Sequence, residues 1–227
     1  MRTVKQKKRF ANVVLSRLKK AYLVTGPFTE WRNIFELVIV TVLSAQCTDE
    51  RVNQISPELF RRYPTACSMA EAELVDIECI IFSTGFYRSK ARYLKGIGEL
   101  LCEKYNGEVP NDFNALLQFP GVSKKSACVI LAKGFGNFVG VAVDTHVLRV
   151  APRLGLVQTK SRDFMAMKLE DLYPKKEYLN VNEYLITLGR AVCTPRSPKC
   201  SLCVLKDICP SSQGFLSKEY KIPPPVI

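Results

Sequence analysis

Apolar residues recur along this chain at three- and four-residue intervals almost throughout, and no stretch alternates apolar and polar positions long enough to make a strand. The pattern predicts an all-α fold. Residues 4–24 read as a basic amphipathic helix, ended by the Thr25-Gly26-Pro27 break. A largely apolar helix follows from Trp31 to Ala45. Asp49 can cap the next one, to Tyr63, and Ser68 with Glu71 three positions later has capping-box spacing for a helix to Phe82. Tyr87 to Tyr105 makes a long helix stopped by Asn106-Gly107, and Asp112 to Gln118 a short one before Pro120-Gly121. Further helices are expected over Lys124 to Lys133, Thr145 to Leu154, Arg162 to Tyr173 and Glu177 to Val192. Short connections between about ten helices suggest two helical lobes, and the Pro223-Pro224-Pro225 tail should be extended or disordered.

Charge changes the picture more than size does. With 33 Lys and Arg against 21 Asp and Glu, the formal net charge of +12 draws the chain toward a polyanion, nucleic acid first. The first 29 residues hold eight basic side chains (Arg2, Lys5, Lys7, Lys8, Arg9, Arg17, Lys19, Lys20) and no acidic one, although a solvated basic helix face accounts for the same run. A length of 227 residues with 47% hydrophobic side chains permits proper cores without covalent staples. Neither a signal-peptide core nor a membrane-spanning run is seen, so an intracellular, reducing compartment and no membrane partner are expected. Cys47, Cys67, Cys79, Cys102 and Cys128 lie scattered among apolar residues and read as small buried hydrophobes, not as a disulfide scaffold.

The other four cysteines form an array. Cys193, Cys200, Cys203 and Cys209 stand at spacings of six, two and five intervening residues. Cys200 and Cys203 make one tight loop that can present two thiolates, and the outer pair completes four ligands. A zinc ribbon pairs two such loops, so a four-thiolate iron-sulfur cluster fits better than zinc, with zinc still open.

Two further segments carry candidate chemistry. Around Phe119-Pro120-Gly121-Val122-Ser123-Lys124-Lys125, a helix stops and another starts within a few residues, the pattern of a helix-hairpin-helix. Gly121 lets the backbone turn and approach another surface, Val122 can plug the space between the helices, and the first amides of the second helix can bind phosphate without reading sequence. An ordinary helix corner is the plainer account of these residues taken alone. In Val143-Asp144-Thr145-His146, Asp144 is placed as an N-cap, which also holds its carboxylate ionised and oriented to stabilise positive charge. His146, the single histidine, reads as a hydrogen-bonded core residue.

Together these segments resemble the endonuclease III branch of the helix-hairpin-helix DNA glycosylases. Leu43-Ser44-Ala45-Gln46-Cys47-Thr48-Asp49, Gly85-Phe86-Tyr87-Arg88-Ser89-Lys90 and Asn106-Gly107-Glu108-Val109-Pro110 also look like that family's segments, in order, over residues 30–210. The resemblance implies two helical lobes with a cleft between them. One is a six-helix barrel over 28–137 carrying the hairpin. The other combines 1–27 with 138–209 and holds a 4Fe-4S cluster on Cys193, Cys200, Cys203 and Cys209, leaving 210–227 as a tail. It implies a base excision enzyme, a glycosylase and abasic-site lyase for oxidised pyrimidines, working as a monomer on double-stranded DNA and, in a prokaryote, cytoplasmic at the nucleoid.

By the same resemblance Lys125 attacks the sugar carbon bearing the damaged base, and Asp144 assists. An unperturbed lysine titrates near about 10.4, so partial desolvation, a helix N-terminus and neighbouring Lys124 are expected to lower its pKa. Gln46 and Phe86 would fill the gap left by the extruded base; the branch more often has an aliphatic residue at the latter position, and a core role explains a Phe there equally. Gly121, Val122 and Ser123 would meet the DNA backbone, as would Arg196 and Lys199 between the first two cysteines. The family's hairpin has a second glycine where this chain has Ser123, so a backbone conformation reserved for glycine would not survive here. Rival readings are an adenine glycosylase, disfavoured by the presence of Lys125 and by only 18 residues after Cys209, a mismatch-specific uracil or thymine glycosylase, and a non-catalytic iron-sulfur DNA-binding regulator.

Overall fold

A computed structural model describes residues 3–23 and 28–219, with side chains to residue 216. The Thr25-Gly26-Pro27 break, Arg2 and the Pro223-Pro224-Pro225 tail lie outside the described residues. Among those described, all regular structure is helical, and no helix is long and apolar enough to cross a membrane. The chain divides into two compact units, Gly26–Val139 and the pair of segments Met1–Thr25 and Gly140–Ile227.

The first unit is built on α2 (Ile34–Leu43), started by Asn33, whose side chain accepts from the Glu36 amide. Eight of its ten residues are buried, so it has no solvent face. Such an all-round apolar helix is stable only when surrounded. α3 (Asp49–Arg62), α4 (Ala66–Ala70), α5 (Leu74–Ile81), α6 (Tyr87–Tyr105), α7 (Phe113–Leu116) and α8 (Lys124–Phe135) complete the unit. Leu94, Ile97 and Leu101 of α6 and Ile130 and Leu131 of α8 join Val38, Ile39, Val42 and Leu43 of α2 in one core. Each such side chain contributes about 1.5–3 kcal/mol by leaving water.

Two expected starts shift by local chemistry. Thr48, not Asp49, caps α3, its hydroxyl accepting from the Arg51 amide at 3.3 Å. Thr65 caps α4 and Ser68 is its partner in the box, and the expected single helix from Ser68 to Phe82 is broken into α4 and α5. The scattered cysteines also depart from expectation. Cys67 of α4 is disulfide-bonded to Cys102 of α6, with their Cα atoms 5.6 Å apart. Gly98, one turn before Cys102, explains the approach: a Cβ there would stand 2.6 Å from the Ala66 carbonyl oxygen, so only glycine lets the two backbones come so near. Cys79 is exposed and Cys47 half-buried; Cys128 alone of the five is a buried thiol outside any disulfide.

The second unit pairs α1 (Val4–Ala21) with α9 (Thr145–Arg153), α10 (Arg162–Leu172), α11 (Tyr178–Ala191), the cysteine segment and α12 (Ser212–Glu219). Ala11, Val14, Leu15 and Leu18 form the buried stripe of α1, and the buried Tyr173 hydroxyl donates to the Ala11 carbonyl at 3.1 Å. Two cations of the basic run are engaged within this unit: Arg17 with Asp207 at 2.6 Å and Lys19 with Glu177 at 2.5 Å. α12 falls where sequence pattern suggested only a tail.

Candidate active site

The hairpin begins at α7, a single turn whose cap, Asp112, accepts from the Ala115 amide at 2.7 Å. The chain leaves it through Phe119, which is buried, and turns at Gly121 with φ +76°. That residue meets both demands on a glycine, since a Cβ would also stand 2.7 Å from Cδ2 of Tyr93. Val122 is buried and joins the core of this unit. Ser123 then caps α8, its hydroxyl accepting from the Ser126 amide at 3.2 Å. With φ −90° and ψ 167°, Ser123 occupies ordinary extended backbone, so the missing second glycine is not needed in this hairpin. Lys125, the second residue of α8, is exposed. The desolvation expected for its amine therefore does not come from burial in the protein itself.

On the same unit lie Gln46 and Phe86, and both adopt left-handed backbone, φ 54° and 50°, which non-glycine residues seldom do. Both are exposed. Phe86 is 67% accessible, which removes the core explanation for an aromatic at that position. Behind them stands a residue whose role sequence reasoning missed. Lys90 is 3% accessible, and its ammonium donates to the Leu43 carbonyl at 2.8 Å and to the Thr84 carbonyl at 2.9 Å. Burial pushes its pKa down, while the Cys47 thiol opposes that shift. The signal was present in the sequence, because Lys90 is in helical register with Leu94, Ile97 and Leu101 on the buried stripe of α6.

Asp144 belongs to the other unit. It caps α9, its carboxylate accepting from the Val147 amide at 2.8 Å, as its position predicts. Three side chains fix the strand-like run that delivers it: Glu170 accepts from the Val141 amide at 3.0 Å, Asn182 donates to the Ala142 carbonyl at 2.7 Å, and Arg162 to the Val143 carbonyl at 3.1 Å. His146 is half-buried, and its Nδ1 lies 3.1 Å from Nη2 of Arg149. Burial lowers its pKa, Asp144 opposes this, and Arg149 and Arg190 lower it further.

The same helix ends at the cysteine segment. Arg149 donates to the Cys193 carbonyl at 3.1 Å, and Arg153 donates to the Thr194 and Pro195 carbonyls at 2.7 and 2.8 Å and to the Cys193 sulfur at 3.4 Å. The Cys200–Leu202 turn places Cys203 after it. Burial pushes the Cys203 and Cys209 thiols up, but backbone N–H groups, of Leu205 on the one and of Ser211 and Ser212 on the other, favour their thiolates. Cys193 acts electrostatically on both, so these sulfurs share one neighbourhood. Among the described residues no three His, Cys, Asp or Glu side chains are grouped as a single metal ion requires. Four cysteines outside any disulfide, with N–H donors directed at three of them, suit an iron-sulfur cluster, whose thiolates are stabilised by such bonds. Arg196 and Lys199 are exposed on the loop between the first two cysteines.

Comparison with known proteins decides the family. Residues 39–175 match the HhH-GPD superfamily base excision DNA repair protein, and residues 193–209 match the iron-sulfur binding domain of endonuclease III. Endonuclease III of Synechocystis sp. is 42% identical over 214 residues, covering 94% of this chain and 98% of its own length. The chain belongs to the endonuclease III family. Endonuclease III of Escherichia coli K12 is 37% identical over 198 residues, 86% of this chain and 92% of the relative. The structure of a trapped covalent intermediate between endonuclease III and DNA superposes with a TM-score of 0.87 at 36% identity, covering 95% of this chain and all of that one. A thermostable thymine-DNA glycosylase shares the fold, with a TM-score of 0.80 at 23% identity. As a member of the endonuclease III family the chain is a bifunctional DNA glycosylase and abasic-site lyase of base excision repair, its macromolecular partner is DNA, and its cofactor is a 4Fe-4S cluster.

Proposed function

We propose that this endonuclease III family member removes oxidised pyrimidines from double-stranded DNA as a monomer inside the cell, with Lys125 as nucleophile and Asp144 as its electrostatic partner. The observation that carries the reading is an exposed lysine on the first turn of the second hairpin helix, two residues after the Ser123 cap. With Lys125 exposed in the protein, desolvation of its amine falls to the bound DNA. The neutral amine attacks C1′ of the damaged nucleotide, and the base departs with the electron pair of the glycosidic bond and a proton. The sugar ring opens as nitrogen and C1′ form an imine. That imine acidifies the C2′ proton; its loss expels the 3′ phosphate, cutting the strand 3′ to the lesion, and water then releases Lys125. Asp144, held in orientation as a cap, stabilises positive charge as the base leaves.

Around this chemistry, Gly121, Val122 and Ser123 approach the phosphate backbone, Gln46 and Phe86 occupy the gap in the duplex, and Arg196 and Lys199 contact phosphates. Cys193, Cys200, Cys203 and Cys209 hold the cluster, which supplies shape to the loop bearing those two cations. Borohydride trapping with an abasic duplex tests the nucleophile. A covalent adduct is expected from the wild type and none from Lys125→Ala; an undiminished adduct from that variant would overturn the assignment. Asp144→Asn should slow base release while DNA binding is kept, and equal loss of both would reduce Asp144 to a cap. Duplexes each bearing one modified base should rank oxidised pyrimidines above uracil and thymine mismatches.

A further inference from the structure

Gln46 and Phe86 sit on segments 40 positions apart in sequence, yet each is held in the same disfavoured conformation. Left-handed backbone is disfavoured for an L-residue and persists only where the surroundings over-determine it. One side chain is placed to do so at both turns. Leu43, which accepts from Lys90, is the last residue of α2 and lies three positions before Gln46; Thr84, the second acceptor, lies two before Phe86 and ends the short 3-10 turn Phe82–Thr84. Both carbonyls are at helical C-termini, where oxygens lose their intrahelical partners and the helix dipole is negative. The Lys90 backbone amide donates to the Phe86 carbonyl at 3.0 Å, the first regular bond of α6, so the second turn is continuous with the helix that carries Lys90.

We propose that Lys90 is a positioning residue that clamps the Gln46 and Phe86 turns together, setting the spacing of the two side chains that replace an extruded base. The proposal rests on the reading of those two residues as inserting groups. Pairing two otherwise orphaned carbonyls is stabilising, so Lys90 serves the fold as well as the spacing of the two turns. Ala91, Leu94, Ile97 and Leu101 on the same face are fully buried and apolar, and an apolar residue would avoid the cost of removing an ammonium from water. What the ammonium adds is two directional bonds to two different segments. Extrusion of a base costs stacking and pairing energy, and two wedges offset that cost together only if both reach the gap at once.

Lys90→Met keeps the length and burial but removes the donors. Single-turnover base release from a duplex containing one oxidised pyrimidine should fall at least about tenfold. β-Elimination at a preformed abasic site in a single-stranded oligonucleotide, which needs no extrusion, should stay within about twofold of wild type. Gln46→Ala and Phe86→Ala should each slow the duplex reaction, and Lys90→Met combined with Gln46→Ala should slow it less than the product of the two single effects. If the two alanine variants slow duplex base release and Lys90→Met does not, the clamp is refuted. Equal slowing on both substrates by Lys90→Met refutes it too, as a general structural loss. If neither alanine variant matters, the insertion reading itself fails, and the clamp with it. Should Lys90→Met not fold, Lys90→Gln, shorter and able to reach one carbonyl at most, is judged by the same pair of substrates.

Discussion

Gly121 is asked for two things that can be separated by substitution. Its φ of +76° disfavours any side chain, and a Cβ would also meet the Tyr93 ring at 2.7 Å. Gly136, at the end of α8, has φ +63° but open space around it. Gly136→Ala should therefore cost about 1 kcal/mol, the conformational part alone, and leave DNA affinity unchanged. Gly121→Ala adds overpacking against Tyr93 and should cost about 2–4 kcal/mol. If the hairpin grips phosphate through its backbone, Gly121→Ala should also weaken binding to undamaged duplex by about tenfold. Urea unfolding and fluorescence anisotropy check the pair; equal stability losses in the two variants would mean that the Tyr93 ring relaxes freely. The reason for Gly121 was half legible in the sequence, since Pro120-Gly121 announces a turn, but the ring across the turn comes from α6 and no local pattern could show it.

At the scale of elements, α9 is fixed at both ends by different chemistry. Asp144 caps its start, and Arg153, its last residue, reaches two carbonyls and a sulfur of the cysteine segment while its guanidinium lies 4.9 Å over the Phe215 ring. Arg153→Lys keeps the charge but not the planar fork, so it cannot hold both carbonyls at once. The cluster's visible absorbance should then bleach several-fold faster under a chelator, whereas Arg196→Ala and Lys199→Ala should leave that rate unchanged. A lifetime equal to wild type in Arg153→Lys would assign the loop's shape to the cysteines alone. Elements with strong ends were readable beforehand: α6 runs from Tyr87 to Tyr105, stopped by Asn106 in left-handed backbone, as the Asn106-Gly107 pair announces. The break between α4 and α5 was not, because apolar spacing continues through it: α4 starts at the Thr65 cap and ends at Ala70, and α5 begins afresh at Leu74. The Cys67 and Cys102 bond was hidden for a related reason, arising from a helix approach that Gly98 permits across a separation of 35 residues. Lys125, Asp144 and the four cysteines stood out because their chemistry is local to short motifs, whereas Lys90 showed only as a charge on an apolar stripe, and one of its two acceptors, the Leu43 carbonyl, is 47 residues away.

The net charge of the whole molecule, +12, predicts salt-sensitive DNA binding but does not say which cations take part. Among the described residues of the N-terminal run, Arg17 is engaged with Asp207 and Lys19 with Glu177, both tying α1 to its own unit. Neither α1 nor its basic first turns fall within the spans matched to base excision repair proteins and to the iron-sulfur domain, residues 39–175 and 193–209. Lys5, Lys7 and Lys8 are exposed on α1 and read as a solvated face, while Arg196 and Lys199 lie inside the second matched span. Removing one phosphate-binding cation should reduce the slope of log affinity against log salt by about 0.9. Arg196→Ala and Lys199→Ala should each show that reduction on undamaged duplex. Changing Lys5, Lys7 and Lys8 together to Gln removes three charges, more than the other two substitutions combined, and should leave the slope where it was. The measurement separates local binding from overall field, because a long-range effect of net charge would make the triple variant the most affected of the three. A slope shallower by two or more in that variant would instead put α1 on the DNA, and would turn its pairs with Asp207 and Glu177 into the means by which a basic helix is aimed at the duplex.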